Sequence, residues 1–364
     1  TRTGRWRKTG KKGKDGFGDR QVPAAWKRKR ATMATAASLP AQTPMTAGER
    51  LGLLAGWGRY PVLLAQALRR DGYEVYCVGV WGEAEPQLAD ICKKFQWIGL
   101  GKLGQAIRFF RQHGVHQALM AGKVHKTHLF QPWAWVRHFP DWTTIRMFIP
   151  HLLTRRKDCR DDSLLGAIVE TFAAEGIQFR PPTDLVPELL LGPGQLTERG
   201  PTAWQWKDIG FGWKIAKRMG DLDIGQTVVV KDQAVLAVEA IEGTDACIRR
   251  AGQLCPAGGF TVVKVAKPQQ DMRFDVPAIG LGTLESIRSA GGAVLAVEAN
   301  QTILVEHDQF LRQANEAQLA VLALEESTLQ AAERGDIVPE AARQYSVHYS
   351  LKKSPEASCP SRER

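Results

Sequence analysis

Apolar and polar positions along this chain fall into two patterns that take turns. Leu51 to Ala55 is a short unbroken apolar run, the mark of a strand covered on both faces, and it stops at Gly56-Trp57-Gly58. Pro61 then opens a helical stretch that ends at Gly72, since proline in a first turn loses no helical hydrogen bond. Glu74 to Val80 repeats the strand pattern, Lys102 to His113 the helical one, and His116 to Ala121 is a third strand that ends at Gly122-Lys123. Such alternation predicts parallel strands joined by crossover helices, the opening of a doubly wound α/β unit.

A Pro- and Gly-rich stretch from Arg180 to Pro201 separates this unit from a second one. There, 228–230 and 234–240 flank a short polar turn, 245–254 has helical spacing, and 260–266 is again strand-like. The seven residues AVLAVEA occur at 234–240 and again at 293–299, which reads as two core strands in similar surroundings rather than a duplicated unit. The expected organisation is an α/β domain over 49–185 and a second α/β domain over 186–325. Residues 1–48 have no apolar period and are expected to be a disordered basic extension, or an over-extended start with Met33 or Met45 as initiator. Residues 326–364 are expected to be a polar tail outside the core.

Composition changes this picture at one point. The net charge of +11 invites a nucleic-acid partner, yet residues 1–30 carry twelve Lys and Arg against Asp15 and Asp19. About +1 is left for the rest, so no nucleic-acid partner is expected of the folded part. No run of about 18 apolar residues and no secretory signal is present, which points to the cytoplasm. The six cysteines, Cys77, Cys92, Cys159, Cys247, Cys255 and Cys359, show no C-x-x-C pair and read as reduced thiols.

Candidate chemistry sits where strands end. Gly56 and Gly58 let backbone amides approach an anion at a helix start, although the third glycine of the dinucleotide fingerprint is replaced by Pro61, so a plain tight turn fits equally. Gly122-Lys123 lies at the carboxyl end of a strand, where ligands of open α/β sheets gather, and Lys123 is either a phosphate partner or a solvated side chain. Asp161 and Asp162 precede an apolar helix; one suffices as its cap, and the surplus one either touches a ligand or metal or has no such role. Glu239, Glu242, Thr244 and Asp245 cluster at a strand-to-helix junction, with Arg249 and Arg250 a turn later. Such a group can hold Mg²⁺ and phosphate together, or can simply cap a helix and pair at the surface. A carboxylate in an apolar strand, as Glu239 is, would be costly if idle. The segment 264–280 mixes Lys264, Lys267 and Arg273 with Asp271 and Asp275, cations for phosphate oxygens and carboxylates for metal or water.

Taken in order, LGLLAGWGRYP, KDCRDDSLL, DLDIGQTVVV (221–230), AVEAIEGTDACIRRAG (237–252) and KPQQDMRFDVPAIG (267–280) resemble the UDP-2,3-diacylglucosamine pyrophosphatase family, of the type unrelated to the calcineurin-like enzyme of the same step. The similarity covers about residues 50 to 325. It implies a Rossmann-like N-terminal domain and a second α/β domain with the ligand site between them. It further implies Mg²⁺-dependent hydrolysis of UDP-2,3-diacylglucosamine to UMP and lipid X in lipid A biosynthesis, with water directed to the phosphorus nearer the sugar, and Mn²⁺ as a substitute metal. Carried over, Asp275 is the key carboxylate with Arg273 and Lys267 as catalytic partners, and Gln226, Gln270 and Thr244 touch substrate. Asp275, Glu242 and Asp245 are the expected metal ligands. Two departures concern the first domain: Gly-Trp-Gly stands where the family commonly has three glycines, and the region after Lys123 is rich in Trp.

A dinucleotide-dependent oxidoreductase is the rival reading, suited by the opening strand and glycine turn and weakened by the missing third glycine. The stretch from His128 to Trp142, with Trp133 and Trp135, and on from Met147 to Pro150, is either core or a surface for acyl chains and the membrane. A peripheral contact with the cytoplasmic face of the inner membrane, and a homodimer, are both compatible with the sequence.

Overall fold

A computed structural model describes residues 48–124, 139–147 and 161–334. The first half is a five-stranded, wholly parallel sheet made of β1 (Arg50–Ala55), β2 (Glu74–Val80), β3 (Lys94–Ile98), β4 (Gln117–Ala121) and β5 (Gln178–Phe179), in the order β3-β2-β1-β4-β5. Helices α1 (Tyr60–Arg70), α2 (Leu88–Ile91), α3 (Leu103–Gln112) and α4 (Asp161–Ala174) connect and cover the strands. The strands and helices expected from the apolar pattern are present. The sequence pattern did not reveal β3, because KFQWI is an edge strand with only Ile98 buried and its polar residues blur the signal.

Alternation decides which residues meet. Leu54, Tyr76, Val78, Ala118 and Met120 share one face of the sheet and pack with Ile107 and Phe110 of α3 and Val169 and Phe172 of α4. Each fully buried Leu or Phe of this kind contributes about 2 kcal/mol by leaving water. Strand order reverses between β1 and β4, so their carboxyl ends flank the crevice where open α/β sheets take ligands.

The second half holds a mixed six-stranded sheet of β6 (Gly194–Gln195), β7 (Thr227–Lys231), β8 (Ala234–Val238), β9 (Thr261–Lys264), β11 (Val294–Glu298) and β13 (Ala320–Leu324), ordered β6-β13-β11-β9-β7-β8. Strands β9, β11 and β13 are mutually parallel, while β7 runs against β9 and β8 against β7. Two short strands, β10 (Ala278–Ile279) and β12 (Ile303–Leu304), pair separately. Helices α6 (Thr244–Leu254), α7 (Leu281–Ala290) and α8 (His307–Glu316) cover one face through Ile248, Leu284, Ile287 and Phe310. Helix α5 (Ala203–Asp221), started by a Thr202/Gln205 capping box, covers the other through Ile209, Trp213 and Ala216. With it packs α9 (Glu326–Arg334), whose Leu329 is buried in the same cluster, so the tail expected outside the core contributes a helix to it.

The two AVLAVEA segments are both strands, but their surroundings are unlike, contrary to the expectation. The first is β8, an edge strand with Ala234 and Val235 exposed; the second is β11, central and buried through Val297. Among the described residues no helix is long and apolar enough to cross a membrane.

Candidate functional site

The carboxyl edge of the first sheet is built by backbone contact. Gly56 N–H donates to the carbonyl of Ala121 at 2.8 Å, Trp57 N–H to that of Lys123 at 2.6 Å, and Lys123 N–H returns to that of Trp57 at 3.0 Å. A Cβ on Gly56 would lie 2.5 Å from the Lys123 carbonyl, and one on Gly122, whose φ is +92°, would lie 2.7 Å from the backbone of Gly56. Both glycines are therefore required by the approach of the two loops. Gly56 spends its amide on this contact, whereas Gly58 has φ +107° and open space where a side chain would be. Tyr60, in the first turn of α1, buries a hydroxyl that has no partner among the described residues. Its pKa is pushed far up by that burial.

The corresponding edge of the second sheet is built from charged side chains. Thr227 lies opposite Lys264 across β7 and β9, and Glu239, one residue beyond β8, donates its N–H to the Thr227 carbonyl at 2.9 Å. A row of Glu239, Thr227 and Lys264 results, facing the amino end of α6. Lys264, only 4% exposed, donates from Nζ to Thr244 Oγ1 at 3.1 Å and to the Ala278 carbonyl at 3.2 Å. Thr244 in turn donates to Glu239 Oε1 at 2.9 Å. Burial holds the Lys264 ammonium below the ordinary lysine range; Glu239, Asp245 and Asp275 oppose that shift and Lys123 adds to it. This one amine thus senses carboxylates from three segments of the second half and a lysine from the first.

Among the described residues, several polar atoms of these segments are buried without a partner: Glu239 Oε2, Asp245 Oδ1, Gln226 Oε1 and Gln270 Nε2. Buried polar groups are normally satisfied, so these orphans, two of them on carboxylates that act on Lys264, mark places where water, ion or ligand completes the bonding. The loop after β9 supplies the rest. Gln270 Oε1 accepts from Lys267 N–H at 2.8 Å, and Lys267 Nζ pairs with Asp223 Oδ1 at 2.9 Å. Asp271 accepts from Arg273 Nε at 2.9 and 3.1 Å, and its carbonyl takes the amide of Asp275 at 3.0 Å. Burial raises the Asp271 pKa, but Arg273 outweighs it and keeps that carboxyl below its usual range.

Not every expected residue joins this group. Glu242 accepts from Arg250 at 2.9 Å and from the Ala240 amide of its own turn at 3.1 Å, a turn contact with a surface pair and no side-chain cap on α6, so it does not join Asp245 and Asp275. Arg249 reaches Ser286 of α7 at 3.4 Å. Asp161 and Asp162 are the first residues of α4, and their side chains, like Trp133 and Trp135, lie outside the described residues. From the aromatic run, Phe139 and Trp142 are exposed, Trp142 by 73%. The sequence pattern also missed a pair on the opposite face: Glu298 accepts from Lys217 Nζ at 2.6 and 2.7 Å and from the Ala266 amide at 2.7 Å, fixing the exit of β9. Nothing in local spacing could have joined residues 81 positions apart. Among the described residues, no three His, Cys, Asp or Glu side chains form a metal-binding group.

Fold and edge together define a class: a two-domain α/β protein whose strand ends carry cations and carboxylates suited to a phosphorylated ligand. The particular family follows from comparison with known proteins. Residues 50–189 match the LpxI N-terminal domain and residues 192–322 the LpxI C-terminal domain. The chain is 30% identical over 288 residues to UDP-2,3-diacylglucosamine pyrophosphatase LpxI of Caulobacter vibrioides, covering 76% of this chain and 98% of that protein. The chain belongs to the LpxI family.

Proposed function

We propose that this protein hydrolyses the pyrophosphate of UDP-2,3-diacylglucosamine, releasing UMP and lipid X for lipid A biosynthesis. The observation that carries the proposal is the similarity of both halves to a family with a relative named for that activity. The charged edge around Lys264 supports it chemically. A pyrophosphate resists water because its oxygens repel nucleophiles, so the site must neutralise those oxygens and place water in line.

In this proposal Lys123 and Lys264 provide the fixed positive field, one from each half. Lys267 and Arg273 grip phosphate oxygens by exchanging Asp223 and Asp271 for them, since a charge-assisted bond to phosphate can replace one to carboxylate. Glu239, through its unpartnered Oε2, and Gln226, through its unpartnered Oε1, accept bonds from substrate hydroxyls or from ordered water. Asp275 orients the attacking water towards the phosphorus nearer the sugar and takes its proton, leaving UMP to depart.

The donor set fits Mg²⁺ or Mn²⁺ held by Asp275 and Asp245, where Asp245 has an orphaned oxygen, with the substrate phosphates completing the shell. It does not fit a cage made by protein alone, and Glu242 stands outside it. When bound, the cation would neutralise phosphate oxygens and lower the pKa of water. We place the reaction in the cytoplasm, at the face of the inner membrane, with Phe139 and Trp142 on the side that meets acyl chains.

The test is incubation of the purified chain with UDP-2,3-diacylglucosamine and Mg²⁺ in ¹⁸O-labelled water, followed by phosphorus NMR and mass spectrometry. UMP and lipid X with the label in lipid X are expected. Absence of UMP overturns the function, and label in UMP overturns the direction of attack.

A further inference from the structure

The segment that carries Asp275 belongs to the second half by sequence, yet one of its side chains, Phe274, packs on the first sheet. Phe274, the residue before Asp275, is half-buried and packs against the first-sheet core cluster that contains Leu54, Met120, Val169 and Phe172. Its neighbour Arg273 feels the charge of Glu170 on α4. Behind both, the turn is closed locally, because the Asp271 carbonyl accepts from Phe274 N–H at 3.2 Å and from Asp275 N–H at 3.0 Å. Asp275 therefore stands on a short closed turn with one aromatic side chain plugged into the other half of the molecule.

We infer that Phe274 is a positioning residue that keys the Asp275 turn into the first sheet, so that Asp275 and Lys123 are brought to Lys264 together. The inference rests on the role proposed above for Asp275. Lys264 Nζ donates to the Ala278 carbonyl at 3.2 Å, three residues beyond Asp275, which ties the keyed segment to β9, and Lys123 follows β4 by two residues. Met120 of β4 belongs to the cluster that receives Phe274 and is three residues before Lys123, so that cluster reaches the strand that leads to the lysine. A misplacement of about 1 Å in a reacting group can cost about a hundredfold in rate. Truncating the plug frees the turn without touching Asp275, its backbone bonds or any substrate-binding group.

The experiment measures kcat, KM and melting temperature of the full chain for Phe274→Ala, Phe274→Leu, Leu165→Ala and Asp275→Asn. Leu165 packs against the same cluster from α4 and is the control for lost packing alone. Phe274→Ala is expected to lower kcat at least tenfold with KM changed less than threefold. Phe274→Leu should restore most of that loss, while Leu165→Ala lowers the melting temperature comparably and leaves kcat within twofold. Wild-type kcat in Phe274→Ala, or equal loss of kcat in Leu165→Ala, overturns the inference. Wild-type turnover in Asp275→Asn instead overturns the role of Asp275, and the key then has nothing to position. If Phe274→Ala does not fold, kcat of the smaller truncation Phe274→Val decides: a fall of at least threefold supports the key, and a value within twofold of the parent beside an inactive Asp275→Asn counts against it.

Discussion

The same seven residues, AVLAVEA, make β8 at the sheet edge and β11 at its centre, and their glutamates end on opposite faces. Ala237 of β8 lies in the cluster under α6 and α7, whereas the equivalent Ala296 of β11 lies under α5. Glu239 accordingly meets Thr244 beside Lys264, and Glu298 meets Lys217 on the far face. A strand shows alternate residues to alternate faces, so register with neighbours sets the face, and the heptapeptide alone does not. The pairing of β7 with β8 shifts register between Val229 and Val230, which contributes to that inversion. The two glutamates also differ in how completely they are bonded. Glu298 has Lys217 at both oxygens and a backbone amide besides; Glu239 keeps Oε2 buried and unpartnered. A fully bonded carboxylate maintains structure, and one with a vacant oxygen is set up to meet something else.

Exchanging charge for amide at each glutamate should separate these roles. Glu239→Gln keeps an oxygen for Thr244, so stability should hold while kcat falls about a hundredfold, about 2.7 kcal/mol of lost transition-state stabilisation. Turnover within tenfold of the parent would remove Glu239 from the site. Glu298→Gln should do the reverse. It breaks a pair that is 24% and 17% exposed, and urea denaturation should show a loss of about 2 kcal/mol, with kcat reduced less than threefold. If Glu298→Gln proves the more damaging to turnover, the far face participates in the reaction and the division between the two glutamates collapses.

How far the residues announced this arrangement depends on the range over which each feature is determined. The strands β1, β2 and β4 and their helices were legible, because unbroken apolar runs closed by glycine are local signals. Asp245, Thr244 and Lys267 stood out as candidates because charged and polar residues crowd at strand ends, whereas Gln270 was expected only from the family resemblance. Lys264 was noticed only as one cation in a polar run; that it is buried follows from β7 and β11 on either side of β9, which no local window contains. Glu242 misled for the converse reason. Three residues beyond Glu239, it reads as part of the same acidic group, but the Gly243 turn sends it back to Arg250. Gly56 was expected to offer its amide to an anion, and that amide is instead used to join the ends of β1 and β4.

The burial of Lys264 gives a smaller effect that can be read from stability. Its pKa is lowered in the fold, so over the range between that lowered value and the ordinary value near about 10.4 the unfolded chain binds more protons. Stability therefore gains from Lys264 as pH rises through that window, and below it the buried charge is a cost. Comparing Lys264→Met with the parent by urea denaturation at several pH values isolates this contribution. The variant should lack that part of the alkaline gain, and parallel curves for the two proteins would mean that Lys264 titrates as an ordinary lysine.

The smallest expected effect is at Glu242, and it sharpens the comparison because Glu242 resembles Glu239 in sequence position but not in bonding. Its carboxylate pairs with Arg250, whose side chain is 47% exposed, and the second oxygen takes the amide of Ala240. An exposed pair of this kind contributes about 0.5 kcal/mol, since solvent screens the charges and two side chains lose freedom to meet. Glutamine retains an acceptor for Ala240, so only the ion pair is lost. Glu242→Gln should then melt within about 3 °C of the parent, as about 0.5 kcal/mol implies for a domain of this size. Its kcat should stay within twofold and its Mn²⁺ affinity, followed by electron paramagnetic resonance, should not change. A tenfold fall in Mn²⁺ affinity would show that Glu242 leaves Arg250 to bind the cation. In that event the carboxylate with the vacant oxygen and the carboxylate in the surface pair would both serve the site, and the bonding state of a side chain before substrate arrives would no longer distinguish them.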